Sequence, residues 1–339
     1  MEPGILKPFL TGCMLTSLVI ACGCGGQKES DKDQKAEADA AWNQVTVPVF
    51  NADSAYDWVA RQVAFGPRVP NSTSHDSCAH FLETTLARLG CDVEVQRAKM
   101  PGFKGDSLPL TNIIASVAPD LHQRILIVAH WDTRAWADEE RDSTLRDQPI
   151  PGANDGGSGT AILLELARAM QTQMPPVGVD LLFLDLQDQG QTDPENPEQA
   201  SEFYCLGAQY WSRNKYPIGA SHRYGIVVNL VGGKDARFAR EGVSMYYAES
   251  VVNKVWQTAS KAGFSDRFLF QNAPAVTDDH TFLNEWGGIP TIDIIEYDPQ
   301  TGHYFGPNWH THADDLSGID KATLRSVGQT LLEVIYREQ

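Results

Sequence analysis

The nine residues LFLDLQDQG, 182–190, decide how this chain is read. A mostly apolar run from Val179 to Leu184 has the length of a buried strand and breaks off abruptly into acid and amide side chains. Asp185, Gln187, Asp188 and Gln189 crowd the place where that strand would end. In open α/β sheets, ligands sit in the crevice outside the carboxyl ends of the strands. Gln187 and Asp188 are therefore placed to face one.

The segments on either side follow the same plan. Asp53 to Ala64 and Ser74 to Leu89 carry apolar residues at helical spacing, and Gly90 stops the second. Strands are predicted over Cys91–Gln96, Asn112–Val117 and Arg124–Ala129, the last running into His130, Trp131 and Asp132. The glycine-rich stretch GANDGGSG, 152–159, leads into an apolar helix from Thr160 to Gln171. After 190 come a loop (Gln191–Ser201), a helix (Phe203–Asn214), a strand (Gly225–Leu230), a helix (Val251–Ala262), a strand (Pro290–Ile295) and a loop (Asn308–Asp315). A final helix starts near Ser317, with Asp320 closing a capping box, and runs to about Tyr336. Strands alternating with helices predict a single α/β domain: a mostly parallel central sheet flanked by helices on both faces.

The chain has 339 residues and a net charge of −17, which speaks against nucleic acid as a partner. Residues 1–21 read as a signal peptide: Lys7 precedes an apolar run from Phe9 to Ala21 that is too short to span a bilayer. Val19-Ile20-Ala21-Cys22 resembles a bacterial lipobox, which implies lipidation at Cys22; an ordinary secretory signal and a site at Cys24 are the alternatives. Residues 22–45 read as a solvated tether, since 27–41 hold no aromatic or β-branched residue. The domain is assigned to 46–339. The expected location is outside the cytoplasm, lipid-anchored to a bacterial membrane on its periplasmic or outer face, as a monomer. Cys78 and Cys91 bracket a helix at least ~15 Å long, too far for a disulfide, so these and Cys205 are expected to be buried thiols.

Polar clusters recur where strands end or loops begin: His130/Asp132, Asp155, Gln187/Asp188, Asp278-Asp279-His280, and His310 with His312. Each alone has a structural explanation as a loop anchor. Together they offer carboxylates and imidazoles, the ligands Zn²⁺ takes, three from protein plus an open position when the site is catalytic.

At these residues the chain resembles the zinc-dependent aminopeptidase clan and, within it, is similar to bacterial glutaminyl cyclases. The resemblance covers about residues 50–337. It rests on FGPRVP (65–70), AHWDTR (129–134), GANDGGSG (152–159), FLDLQDQG (183–190), CLGAQYW (205–211), VGGKDARF (231–238), TDDH (277–280) and WHTHADD (309–315). It implies one zinc held by Asp155, Asp188 and His310, with His130 and Asp132 in support. It implies a substrate pocket lined by Trp211 and Trp309, and Asp278 near the reacting amine. The implied reaction turns an N-terminal glutamine of a peptide or protein into pyroglutamate and releases ammonia. Zinc polarises the carbonyl and one carboxylate moves the proton.

Two positions depart from that pattern. The family has a glutamate where this chain has Gln187, and an aspartate hydrogen-bonded to it where this chain has Asn229. An amide has no useful pKa. The two changes are complementary, keeping hydrogen-bond geometry without a proton to move. Asn229 also weakens a second metal site, which counts against a two-metal aminopeptidase. Three readings stay open: a zinc cyclase that is slow or uses another base such as Asp278 or Asp185, a zinc aminopeptidase, and a catalytically silent relative that binds peptide N-termini. Trp131 and Trp286 are expected in the core.

Overall fold

The computed structural model describes residues 42, 44–191 and 202–338. The proposed signal peptide, Cys22, Cys24, most of the tether and residues 192–201 of the predicted loop lie outside the described residues. Val47–Gln339 cluster as one compact unit.

Its frame is a six-stranded sheet. Two helices come first, α1 (Ala52–Val63) and α2 (Thr73–Arg88), each with a side-chain cap, Asn51 and Ser72. Then follow β1 (Asp92–Pro101), β2 (Ser107–Val117), β3 (Arg124–His130), α3 (Gly157–Met170), β4 (Gly178–Leu184), α4 (Leu206–Arg213) and β5 (His222–Asn229). The short pair β6 (Phe238–Arg240) and β7 (Phe268–Asn272) brackets α5 (Gly242–Lys261). The chain closes with α6 (Asp279–Glu285), β8 (Thr291–Ile295) and α7 (Lys321–Tyr336).

The spatial order is β1-β2-β4-β3-β5-β8. The four strands β4, β3, β5 and β8 run parallel, while β1/β2 and β2/β4 pair antiparallel. Alternate residues build the two faces. Ile113, Ala115, Ile127, Ala129, Leu181, Phe183, Ile226 and Val228 pack into the large core with α1, α2, α3, α5 and α7. Ile114, Leu126, Val128, Leu182, Leu184 and Val227 point the other way, against α4 and α6. Central strands buried on both faces explain the near-continuous apolar runs in the sequence.

Several boundaries differ from the sequence reading. β1 and β2 run longer, forming a ribbon beyond the buried part of the sheet. α5 begins at Gly242 rather than Val251, its N-terminus capped by Glu241 and its course broken by non-helical backbone at Ala248. α4 is shorter than predicted, starting after a left-handed Cys205. Asp320 is itself the N-cap of α7, accepting from the Ala322 N–H, and Leu316–Gly318 form a separate 3₁₀ turn. The helix α6, behind TDDH, was not anticipated. Cys78, Cys91 and Cys205 are free and buried, as expected. No helix among the described residues is long and apolar enough to cross a membrane.

Candidate metal and proton-transfer site

The site lies at the carboxyl ends of β3, β4 and β5, where the switch-point rule places it. β3 ends at His130, opposite Leu184 of β4, and β5 ends at Asn229. Past β4 the chain turns through Leu186 in the left-handed region (φ 58°), and a single side chain fixes the turn. Buried Asp132 accepts from the Gln187 N–H (3.0 Å), the Asp188 N–H (3.3 Å) and the Gln189 Nε2 amide (2.9 Å). Asp132 thus supports the turn that carries Gln187 and Asp188.

Asp155 is positioned in a similar way. Asp314 accepts from the backbone N–H groups of Asn154 (2.7 Å) and Asp155 (3.0 Å). Gly156, next in line, has φ 80°, and a Cβ there would lie 2.4 Å from the Asp132 carbonyl oxygen, so only glycine fits. His310 is also left-handed (φ 54°), and the Trp309 ring stacks on its imidazole at 3.6 Å.

These supports bring three ligand-type atoms together. The His310 Nε2 lies 2.9 Å from Asp188 Oδ2 and 3.6 Å from Asp155 Oδ2. Yet both carboxylate oxygens are buried without a hydrogen-bond donor among the described residues. Lone pairs that converge on a common point, rather than on each other, are what a metal ion would satisfy. Two oxygens and one imidazole nitrogen suit zinc and leave a coordination position open. Each ligand is held from behind: His310 Nδ1 faces Asp138 at 3.0 Å, Arg134 donates to Asp188 Oδ1 at 2.9 Å, and His130 Nε2 lies 3.2 Å from Asp155 Oδ1. Burial opposes charge at Asp188, but His310 and Arg134 outweigh it and hold the carboxyl down at about 2. Burial likewise opposes charge at His310, and Asp188 and Asp138 bring it up to about 9.

The second half of the site centres on Asp278, the N-cap of α6. Gln187 Nε2 donates to its Oδ1 at 3.0 Å and Asn229 Nδ2 to its Oδ2 at 2.9 Å. Gln187 and Asn229 therefore meet through Asp278, which corrects the expectation of a direct pair. Asn229 Oδ1 in turn lies 3.2 Å from His130 Nε2, which links the two halves.

Other predicted residues fall elsewhere. Trp211 lines no open pocket: it is fully buried among Ile114, Leu126 and Ala208, and its Nε1 donates to the Tyr216 carbonyl. This is a correction, and its cause is the facing of α4, which turns Trp211 inward. Trp309 is half-buried beside a hollow of about 460 Å³ shared with Asn154, Leu230, Glu296 and Phe305. Trp131 is core, its ring tilted against His75 with centroids 4.4 Å apart, whereas Trp286 is 38% exposed under Arg213, so its expected burial is corrected. His312 pairs with Glu140 at 3.2 Å, away from the trio. Asp185, considered as a spare base, is fully buried against His75 at 2.9 Å. Arg134 and Asp314 stood inside quoted motifs without a role assigned. Asp138 sat in a long acidic loop with nothing to single it out.

With this geometry in hand, comparison with known proteins identifies the family. The model of peptidase family M28 matches residues 112–335. The chain belongs to peptidase family M28. Among solved structures, a glutaminyl cyclase of Bacteroides thetaiotaomicron bound to N-acetylhistamine is 46% identical, with a TM-score of 0.84, over 87% of this chain and 100% of that one. A Zn-dependent exopeptidase of Parabacteroides distasonis is 41% identical with a TM-score of 0.81, over 86% and 100%. The glutaminyl-peptide cyclotransferase of Drosophila melanogaster is 25% identical over 281 residues, 76% of this chain and 73% of that protein. The motif resemblance to bacterial glutaminyl cyclases is borne out, as is the predicted M28-type α/β fold.

Proposed function

We propose that this protein is a glutaminyl-peptide cyclotransferase of the one-zinc type, acting slowly on peptides or proteins with an N-terminal glutamine. The observation that carries this reading is the convergence of Asp155 Oδ2, Asp188 Oδ2 and His310 Nε2, two of them buried without donors. Asp155, Asp188 and His310 would hold one zinc, which when bound supplies Lewis-acid polarisation of the side-chain carbonyl. The chain's own residues do the rest. Trp309 stacks on the His310 ring and lines the hollow of about 460 Å³ beside it. Positioning matters because ring closure is intramolecular, so a held conformer removes much of the barrier.

Proton transfer is where the site is weak. Gln187 can hold an amine through its Oε1 but cannot take its proton. Asn229 offers a neutral oxygen where a second metal would want an anion, and this disfavours a two-metal aminopeptidase. The same pair of amides favours a second reading, a silent receptor for peptide N-termini. Export and lipid anchoring through Cys22 complete the proposal and rest on the N-terminal sequence.

The test is ammonia release from a glutaminyl peptide by the zinc-loaded protein, run beside a chromogenic aminopeptidase substrate. Slow cyclisation with no peptidase activity supports the proposal. Peptide binding without turnover supports the receptor, and peptidase activity contradicts both.

A further inference from the structure

The hollow beside Trp309 continues away from the metal trio. β8 ends at Ile295, and the next residue, Glu296, borders both that hollow and a second one of about 540 Å³ that holds Tyr297, Asp298 and Tyr304. Asp235, Gly306 and Pro307 are also common to the two, so they form one groove outside the carboxyl end of a strand. Four rings line it in file. Trp309 stacks on His310 at 3.6 Å and Phe305 on Trp309 at 4.5 Å; Tyr304 follows at 5.7 Å and Tyr297 at 4.9 Å. One end of the groove is therefore at the metal trio. An extended peptide advances about 3.3 Å per residue, so a peptide whose first residue sits at the trio lays about its second to fifth residues along the groove.

Glu296 is 8% exposed, and glycine backbone hems it in. A Cβ on Gly233 would lie 2.6 Å from its Oε2, and one on Gly306 would lie 2.7 Å from both oxygens. The Asn154 Nδ2 amide lies beside it, 3.3 Å from the same Gly233 position, while Asn154 Oδ1 is taken by the Gly232 N–H at 2.8 Å. No cation partners Glu296 among the described residues; the charges acting on it are those of Asp298 and Asp314, both acidic. Lys234 and Arg237 stand on the groove walls without an ion pair to it. The other acids of the groove are engaged. Asp314 accepts the N–H groups of Asn154 and Asp155, Asp298 accepts from the Gln300 N–H and the Thr301 hydroxyl, and Asp235 faces Arg267 at 3.7 Å. Burial pushes the Glu296 carboxyl up to about 7. A nine-tenths buried carboxylate with one amide beside it is costly, and an incoming cation offsets that cost.

We propose that this groove is a substrate subsite in which Glu296 takes the ammonium or guanidinium of a lysine or arginine two or three residues after the N-terminal glutamine. The glutamine rests on the cyclotransferase reading; recognition of the basic side chain does not require turnover. A long basic side chain matches what the groove offers. Its methylene stem lies along the rings of Phe305 and Tyr304, whose faces also attract its charge, and its head reaches the carboxylate. A neutral chain of the same length gains the stem contact alone, and an acidic one meets Glu296 and Asp298. Glu296 is thus a specificity-determining residue, which acts on the peptide away from the reacting atoms and so on KM rather than kcat.

The test gives the zinc-loaded full chain a set of hexapeptides with an N-terminal glutamine and a single lysine moved from the second position to the sixth. Norleucine, the uncharged counterpart, is the reference at each position. Two readouts are taken: ammonia release, resolved into kcat and KM, and displacement of a fluorescein-labelled glutaminyl peptide, read by anisotropy. Lysine at the third or fourth position should bind ~10-fold tighter than norleucine, the scale of one hydrogen bond to a charged group, and in Glu296→Gln that ratio should fall to about one. Where there is turnover, the gain should fall on KM. A lysine preference equal at every position, or one that survives Glu296→Gln, overturns the subsite, since it reports only the net charge of −17. Absence of any preference in the unaltered protein overturns it too, and decides the matter even where the variant does not fold. If no peptide is cyclised, the cyclotransferase reading fails while the displacement series still decides the subsite; displacement by none of the peptides overturns both.

Discussion

Replacing Gln187 by glutamate and Asn229 by aspartate in one chain should speed cyclisation sharply without unfolding the site. Gln187 and Asn229 each donate to a different oxygen of Asp278, at 3.0 and 2.9 Å. Carboxyls in their places would make two carboxyl–carboxyl contacts, and each such contact holds one proton. Three carboxyls sharing two protons carry the same net charge that Asp278 carries alone between two amides. The buried charge is unchanged, so the fold has no electrostatic reason to resist. What is gained is a titratable group on the open face, at a position only half-buried. General acid–base catalysis is worth ~10²–10⁴-fold, or about 3–5 kcal/mol of barrier. The assay is coupled ammonia release from a glutaminyl peptide at saturating zinc. Gln187→Glu alone should give part of the gain, since it restores one shared proton. Asn229→Asp alone should give little, because no titratable group then faces the substrate. A zinc-loaded, folded double variant no faster than the parent would refute the reasoning.

Three further outcomes follow from other parts of the structure. Asp180 is buried between Arg124 (2.8 Å), Ser116 (2.5 Å) and His222 (2.7 Å); burial opposes its charge, but these partners outweigh it and bring the carboxyl down to about 2. A depressed pKa contributes stability above the unfolded value and loses it on acidification, so urea unfolding should show the parent's advantage over Asp180→Asn shrinking between about pH 4 and pH 2, by about 2 kcal/mol. Trp211→Ala should cost about 3–5 kcal/mol of stability, while the metal content of the folded fraction stays at the parent's level, because Trp211 packs in the core. Asp138→Asn should weaken zinc ~10–100-fold in a competition titration with a chelator, as loss of a partner behind a ligating histidine does.

Much of the frame could be read directly. β3, β4 and β5 are buried on both faces, so each appears as an apolar run ending in polar residues, and the site residues are those at the ends. The metal trio was legible because each member sits in a dense local motif. What could not be read depends on contacts distant in sequence. Trp211 looks alike whether α4 turns it toward a pocket or the core, and only the packing against Ile114 and Leu126 decides. The first half of α5 was missed because Tyr246 and Tyr247 are exposed there and Ala248 interrupts the helix, so no apolar stripe repeats. The meeting of Gln187 and Asn229 on Asp278 joins residues 91 and 49 positions apart. The antiparallel β1–β2 ribbon escaped in part because its outer residues alternate between half-buried and exposed.

The central claim is that the metal half of an M28 glutaminyl-cyclase site is intact here while the proton half has been rebuilt from amides. Metal content tests the first part most directly. Protein dialysed against trace zinc and assayed by mass spectrometry of the metal should hold about one zinc per chain, lost in Asp188→Asn, with no second equivalent at higher zinc. A value near zero would contradict the Asp155–Asp188–His310 centre, and a value near two would contradict the assignment of Asn229 as the residue that closes the second site.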